Sequence, residues 1–168
     1  MFIGVISDTH KYFDDDVENF LKDVDLVLHA GDFGNIETAN KIADFKPLKG
    51  VYGNCDGTDI REYHPYIQVL DIEGIKILMM HIGGYPGRYD YRAMQLINAH
   101  RPDIFICGHS HILKVIYDNK FNCLTINPGA AGIEGFHVVR TAIRFHIDEG
   151  KIHDMEIGEW PKKVIKEE

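Results

Sequence analysis

Five apolar segments of this chain each run straight into aspartate, asparagine or histidine, and no other feature restricts its fold as much. GVISDTH ends on Asp8 and His10, and DLVLHAGD ends on His29 and Asp32. GVYGNCD delivers Asn54 and Asp56, KILMMH delivers His81, and DIFICGHSH delivers His109 and His111. A short, continuous apolar run is the pattern of a strand buried on both faces, as in a sheet covered on each side. The carboxyl edge of such a sheet is where loops converge and sites form. A single histidine after a strand reads most simply as a hydrogen-bonded residue. Five strand ends carrying metal-competent side chains read as one site.

Between these runs the period changes. Asp14–Asp23 puts Val17, Phe20 and Leu21 on one helical face, Asn35–Phe45 reads as a second helix, and Tyr89–His100 puts Ala93, Leu96 and Ile97 together. Asp14, Asp15 and Asp16 suit the positive end of the first helix dipole better than they suit a metal. Strands are expected at Phe2–Ser7, Asp25–His29, Pro47–Tyr52 and Asp103–Cys107, with a hairpin of Ile67–Ile72 and Ile75–His81 about Glu73-Gly74. Leu113–Asp118, Cys123–Asn127, Thr141–Ile147 and Lys151–Ile157 read as antiparallel strands. The first half alternates β and α and the second is mostly β, so the fold class is α/β with one part-parallel and one largely antiparallel sheet. With no internal repeat or linker, residues 1–168 are expected to form one domain. The charged tail after Trp160 (PKKVIKEE) reads as a frayed end or a contact segment.

Composition narrows the function. A formal charge of −8 argues against a stable nucleic-acid complex or an anionic membrane, both of which need basic surface. It leaves phosphate-bearing substrates open, because a bound cation reverses the local field. No apolar run is long enough to span a bilayer, and the first apolar run is short and strand-like, without a basic segment or a small-residue cleavage site. Cys55, Cys107 and Cys123 are too widely spaced for a metal knuckle or a disulfide framework, which points to the cytoplasm. Cys107 and Cys123 read as small core residues.

The ligand types are Asp, His and Asn without thiolate, a nitrogen and oxygen set that suits manganese, iron, nickel, cobalt or zinc. The supply exceeds the needs of one tetrahedral ion and fits two ions about 3.5–4 Å apart sharing a carboxylate. Gly31, Gly53 and Gly108 each precede a candidate and allow the backbone to turn sharply there. Thr9 separates Asp8 from His10, and in an extended chain alternate side chains face the same way. Gly83–Tyr89 reads as a surface loop before a helix, with Arg88 touching phosphate as the alternative. Asn127-Pro128-Gly129 reads as a turn without chemistry. His64, His100, His137, His146 and His153 lie off the strand ends and read as surface or packing residues.

In their order DTH, GD, GNCD, the lone His81 and GHSH, these motifs resemble the calcineurin-like metallophosphoesterase superfamily. With the endings GNCD and NPGA, the chain is most similar to its small bacterial and archaeal phosphodiesterase branch. The resemblance spans Gly4 to about Gly132 and implies a layered αββα sandwich of two mixed β-sheets flanked by helices. It implies that Asp8, His10 and His111 bind a first metal, that Asn54, His81 and His109 bind a second, and that Asp32 bridges them. The implied activity is hydrolysis of phosphate diesters through a metal-bridging hydroxide, using manganese or nickel before iron, cobalt or zinc.

Two ions, two carboxylates and one hydroxide leave a net charge of about +1, matched to a monoanionic diester. Many members of the superfamily carry histidine where this chain has Cys55, a poorer proton donor, so Cys55, or in its place His29, Asp56 or a metal-bound water, is left to assist the leaving oxygen. Asn54, Cys55 and Asp56 are therefore the candidate catalytic residues, with Asp56 and His29 also able to orient a ligand. The resemblance implies a small phosphate-ester substrate and leaves room for a homo-oligomer. Its rivals are a catalytically silent metal-binding scaffold or interaction module on the same fold, and a phosphomonoesterase.

Overall fold

The computed structural model describes residues 1–162. Its first strand, β1 (Phe2–Ile6), already requires two cores, because Ile3 and Val5 join one apolar cluster and Ile6 joins another. After it come α1 (Asp15–Leu21), β2 (Leu26–His29), α2 (Ile36–Phe45), β3 (Leu48–Gly50) and a short α3 (Thr58–Arg61). The hairpin β4 (Ile67–Ile72) and β5 (Ile75–Met80) leads into two minimal strands, β6 (Gly84–Tyr85) and β7 (Arg88–Tyr89). Then come α4 (Tyr91–His100), β8 (Ile104–Ile106), β9 (Leu113–Asp118), β10 (Cys123–Pro128), β11 (Val139–Asp148) and β12 (Lys151–Pro161).

The strands form two mixed five-stranded sheets, in the orders β12-β11-β1-β2-β3 and β4-β5-β8-β10-β9. In the first, β1, β2 and β3 are parallel and β11 is antiparallel to β1. In the second, β5, β8 and β10 are parallel and β4 and β9 pair antiparallel to them. Val5, Leu28, Ile77, Met79, Ile104, Ile126 and Ile143 fill the space between the sheets. Ile6, Val27 and Ala142 turn the other way onto Val17 and Leu21 of α1 and Ile42 of α2. Leu78, Met80 and Phe105 pack outward onto Ala93 and Ile97 of α4. The order of layers is therefore α, β, β, α. Each fully buried Ile or Leu contributes about 1.5–3 kcal/mol relative to exposure, and alternation along each strand supplies both of its faces.

Helix starts follow local chemistry. Asp14 accepts from Val17 N at the start of α1, and Asn35 accepts from Thr38 N at the start of α2. Asp14 also takes both ends of the buried Arg140 guanidinium, at 2.7 and 3.2 Å. Capping and this ion pair account for the acid, as the dipole argument expects. Two elements escape the apolar pattern: the single turn of α3, and the β6–β7 ribbon that stands where a surface loop was expected. Asn127 and Pro128 are strand residues of β10, not a turn. Of the charged tail, Pro161 ends β12 and residues 163–168 lie outside the described residues. No helix among the described residues is long and apolar enough to cross a membrane.

Candidate metal centre

The carboxyl ends of β1, β2, β3, β5 and β8, three strands from one sheet and two from the other, deliver their polar residues to one place. Asp8 is fully buried. Its Oδ2 accepts from Ser7 Oγ at 2.6 Å and from His109 N at 3.1 Å. Its Oδ1 has no hydrogen-bond partner and stands 3.2 Å from His111 Nε2 and 3.7 Å from His10 Nε2. Asp32 takes Cys55 N on Oδ1 at 2.8 Å. Its Oδ2 faces His81 Nε2 at 3.1 Å and His10 Nε2 at 3.7 Å.

Two of the histidine rings, His81 and His111, are oriented by their far nitrogens. His81 Nδ1 donates to Ala30 O at 2.7 Å, so Nε2 of the neutral ring is a lone pair aimed at the centre. That buried Nε2 has no hydrogen-bond partner either, its approach to Asp32 lacking the alignment of a bond. His137 Nε2 donates to Gly132 O at 2.9 Å, leaving its Nδ1 to accept the proton of His111 Nδ1 at 3.3 Å. His111 Nε2 is thereby a lone pair too, 3.3 Å from His10 Nε2. Nitrogens facing this closely, beside an unpartnered carboxylate oxygen, repel unless a proton or cation lies among them.

Three groups whose ligand atoms lie within 4.8 Å of one another meet here: Asp8, His10 and His111, next to them Asp32, His81 and His109, and, overlapping both, His10, Asp32 and Cys55. A buried unpaired acid oxygen and a buried unpaired imidazole lone pair are what a bound cation satisfies, so the donor set fits divalent metal. Burial opposes a charge on His81, but the carboxylates of Asp32 and Asp8 outweigh it and raise its pKa. Burial likewise opposes ionisation of Asp32, yet His81, Cys55 N and His10 bring its carboxyl down to about 2.

Convergence does not come from an extended chain. Asp8, His10, Asp32, His109 and His111 all sit in the left-handed region, with φ of 53, 43, 58, 70 and 60°. Asp8 and His10 meet because the backbone coils sharply after β1, and the expected alternation across Thr9 plays no part. Such conformations are costly for residues with a Cβ and persist where the surroundings over-determine them. Gly31 does need its freedom, with φ of +99° and His81 Nδ1 2.6 Å from any added Cβ. Gly53 serves differently: a Cβ there would stand 2.0 Å from Asp32 Oδ1, so close approach is the reason for glycine.

Asp56 does not face the cleft. Its Oδ2 accepts from Asp32 N, Phe33 N and Gly53 N at 2.9, 3.3 and 2.8 Å, and its Oδ1 from Gly34 N at 3.0 Å. It clamps the loop of Asp32 to the loop of Asn54. His29 is fully buried, stacked 3.6 Å from Phe33, and accepts Gly31 N on Nδ1. Its Nε2 then donates to Thr9 Oγ1 at 3.0 Å, and Thr9 in turn donates to Phe33 O. Burial holds His29 well below its ordinary pKa, so it is a neutral tie between loops. Asn54 and Cys55 line the cleft with His10, Asp32, His109 and His111. Asn54 Nδ2 contacts Cys55 Sγ at 3.5 Å. Partial burial and the Asp32 carboxylate push the Cys55 thiol up, so it is protonated at neutral pH. Cys107 and Cys123 are buried in the core, with thiols raised to about 12 by burial.

Residues 1–150 match the model of the calcineurin-like phosphoesterase superfamily domain. The chain belongs to that superfamily. A probable metallophosphoesterase of Methanocaldococcus jannaschii is 32% identical over 136 residues, 77% of this chain and 68% of that protein. Among solved structures, an archaeal phosphodiesterase superposes with a TM-score of 0.72 at 21% identity, covering 94% of this chain and 99% of its own. A zinc complex of Vps29 from Entamoeba histolytica gives 0.74 at 19% identity, covering 97% of this chain and 100% of its own. At such identities the structures establish the fold.

This phosphoesterase chain also uses residues that sequence reasoning passed over. His137, read as a surface or packing residue, lines the cleft and orients His111. Asn127, assigned no chemistry, is buried and donates to Gly108 O and Ser110 Oγ, fixing the loop that carries His109. Glu134, Ile112 and the fully exposed Phe136 complete the rim. Ser7 had a visible signal, standing directly before Asp8. Residues 132–138 had none, since no strand end or helical period marks them.

Proposed function

We propose that residues 1–168 form a single metallophosphoesterase domain that hydrolyses phosphate diesters with two divalent transition-metal ions, manganese or nickel before iron, cobalt or zinc. The carrying observation is the pair of adjoining ligand groups with the unpartnered Asp8 Oδ1 and His81 Nε2 directed between them. Asp8, His10 and His111 would hold one ion, and Asn54, His81 and His109 the other. Asp32 would serve both, since its Oδ2 lies near His10 of one group and His81 of the other. Bound there, the ions supply Lewis-acid charge to the phosphoryl oxygens and a water acidified toward neutrality.

The chain's own residues do the remaining work. Asp56 and His29 hold the Asp32 and Thr9 loops in register. His137 fixes the tautomer of His111. Cys55, a neutral thiol at the cleft, is the side chain available to give a proton to the leaving oxygen. A diester is favoured over a monoester because Glu134 adds a carboxylate to the rim, with Oε2 4.0 Å from His10 Nδ1, and opposes a second phosphate charge.

A second reading, an interaction module, is favoured by the exposed Phe136, Val138 and Ile112 and by Val115, Ile116 and Tyr117 on the edge strand β9. Quantifying bound metal and assaying nitrophenyl mono- and diesters with added manganese or nickel separates the two. Wild type is expected to bind about two ions and favour the diester, and Asp32→Asn to lose metal. Cys55→His is expected to shift preference toward the monoester. No bound ion and no hydrolysis of either ester would leave the interaction module.

A further inference from the structure

Next to the cleft over the candidate ligands lies a second one of about 430 Å³, which shares His109, Ser110 and Ile112 with the first. Its far wall is the β6–β7 ribbon, in which Tyr85 and Arg88 are register partners and so project to the same face. Opposite stands Lys114 of β9, whose ammonium lies 3.7 Å from the Tyr85 ring centroid. An aromatic face holds a cation in place without neutralising it.

Two cationic side chains face this one cleft in a chain of net charge −8. Lys41, Arg140 and Arg144 all pair with carboxylates. Among the described residues, no carboxylate pairs with Arg88 or Lys114. The acid on the same wall, Asp90, has its Oδ1 engaged by Arg92 N and Ala93 N at the start of α4. The Asn127 amide nitrogen is occupied by Gly108 O and Ser110 Oγ. Two cations and one acid, Asp90, therefore face this cleft, which leaves an excess of positive charge, whereas the first cleft carries Glu134.

We infer that the second cleft is a substrate subsite for an anion: one alcohol of the diester carries a phosphate or carboxylate that Arg88 and Lys114 bind while the ester phosphorus lies over the ligand groups. This rests on the diesterase reading and adds the substrate class. A single charge-assisted hydrogen bond of this kind changes affinity by about tenfold or more.

The test compares 4-nitrophenyl phenyl phosphate with the same ester carrying a para-carboxylate or a para-phosphate on its phenyl ring, on manganese-loaded protein. The kcat/KM ratio of an anion-bearing ester to the plain one is expected to be about ten, to fade as salt rises, and to fall to about one in Arg88→Ala/Lys114→Ala. It should invert in Arg88→Glu. A gain with only one of the two anions identifies which one the subsite takes. A second readout needs neither metal nor turnover: calorimetric titration of metal-free protein with 4-hydroxyphenyl phosphate and 4-hydroxybenzoate. Wild type should bind at least one of them, and the double variant about tenfold more weakly or not at all. Ester hydrolysis without anion preference, together with equal binding by both proteins, overturns the subsite and leaves the diesterase standing. Anion binding that depends on Arg88 and Lys114 without hydrolysis of any ester does the reverse.

Discussion

Replacing Asp56 tests whether the centre is assembled by backbone clamping. Four main-chain N–H groups from two loops converge on its carboxylate, at 2.8 to 3.3 Å. Alanine removes every acceptor at once. A hydrogen bond to a charged group is worth about 1.5–3 kcal/mol, and a buried donor left unpaired costs about 1–3 kcal/mol. The four do not add, because three share Oδ2 and water can reach a collapsed loop. About 3–5 kcal/mol is the expected loss, the size seen when one partner of a buried charged set is removed. Asparagine with its carbonyl at the Oδ2 position keeps acceptors for Asp32, Phe33 and Gly53 and loses the one for Gly34, at a cost of about 1–3 kcal/mol.

For a domain of this size each kcal/mol lowers the melting temperature by about 2–4 °C. Urea and thermal unfolding of metal-free protein should therefore rank wild type, Asp56→Asn and Asp56→Ala in that order, with unchanged m-values. Metal titration of folded Asp56→Asn should show weaker binding, because a neutral amide oxygen holds Asp32 N and Gly53 N less tightly than the carboxylate does, and these groups set where the Asp32 side chain stands. Equal stability of all three proteins, or alanine no worse than asparagine, would refute the clamp.

His137→Ala leaves the His111 Nδ1 proton without an acceptor, so metal affinity by titration should fall about 10–100-fold, with partial recovery in His137→Gln. Burial lowers the pKa of His29 well below its ordinary 6.5, and that of His64 less strongly. The unfolded chain therefore takes up protons below about 6.5 that the folded chain refuses. The stability these neutral rings carry is complete above that pH and declines as pH falls through their folded values. His29→Gln should flatten this slope relative to wild type in urea titrations between about pH 5 and 7, and identical slopes would show that His29 carries no such linkage.

The strands that build the centre were legible because burial on both faces leaves an unbroken apolar run, and each ends in a polar residue at once. β4 and β9 were read to the residue, their ends marked by turns. α3 and the β6–β7 ribbon were not, since four-residue and two-residue elements are too short to show a period. Asp8, His10, Asp32, Asn54, His81, His109 and His111 could all be picked out as candidates from strand ends. The way they meet could not, because left-handed backbone at Asp8 or His111 is imposed by tertiary contacts and leaves no mark in residue type. Asp56 illustrates the same limit: its place beside Asn54 drew attention, while its orientation away from the cleft depends on loops distant in sequence.

The left-handed residues also carry a cost in backbone energy. Each of Asp8, His10, Asp32, His109 and His111 holds a conformation that costs a residue with a Cβ about 1–2 kcal/mol. Glycine would adopt the same backbone without that cost. Replacing any one of them with glycine would relieve that tension while removing a candidate ligand. The ligand role proposed for these side chains and the energy of the backbone that carries them thus pull in opposite directions.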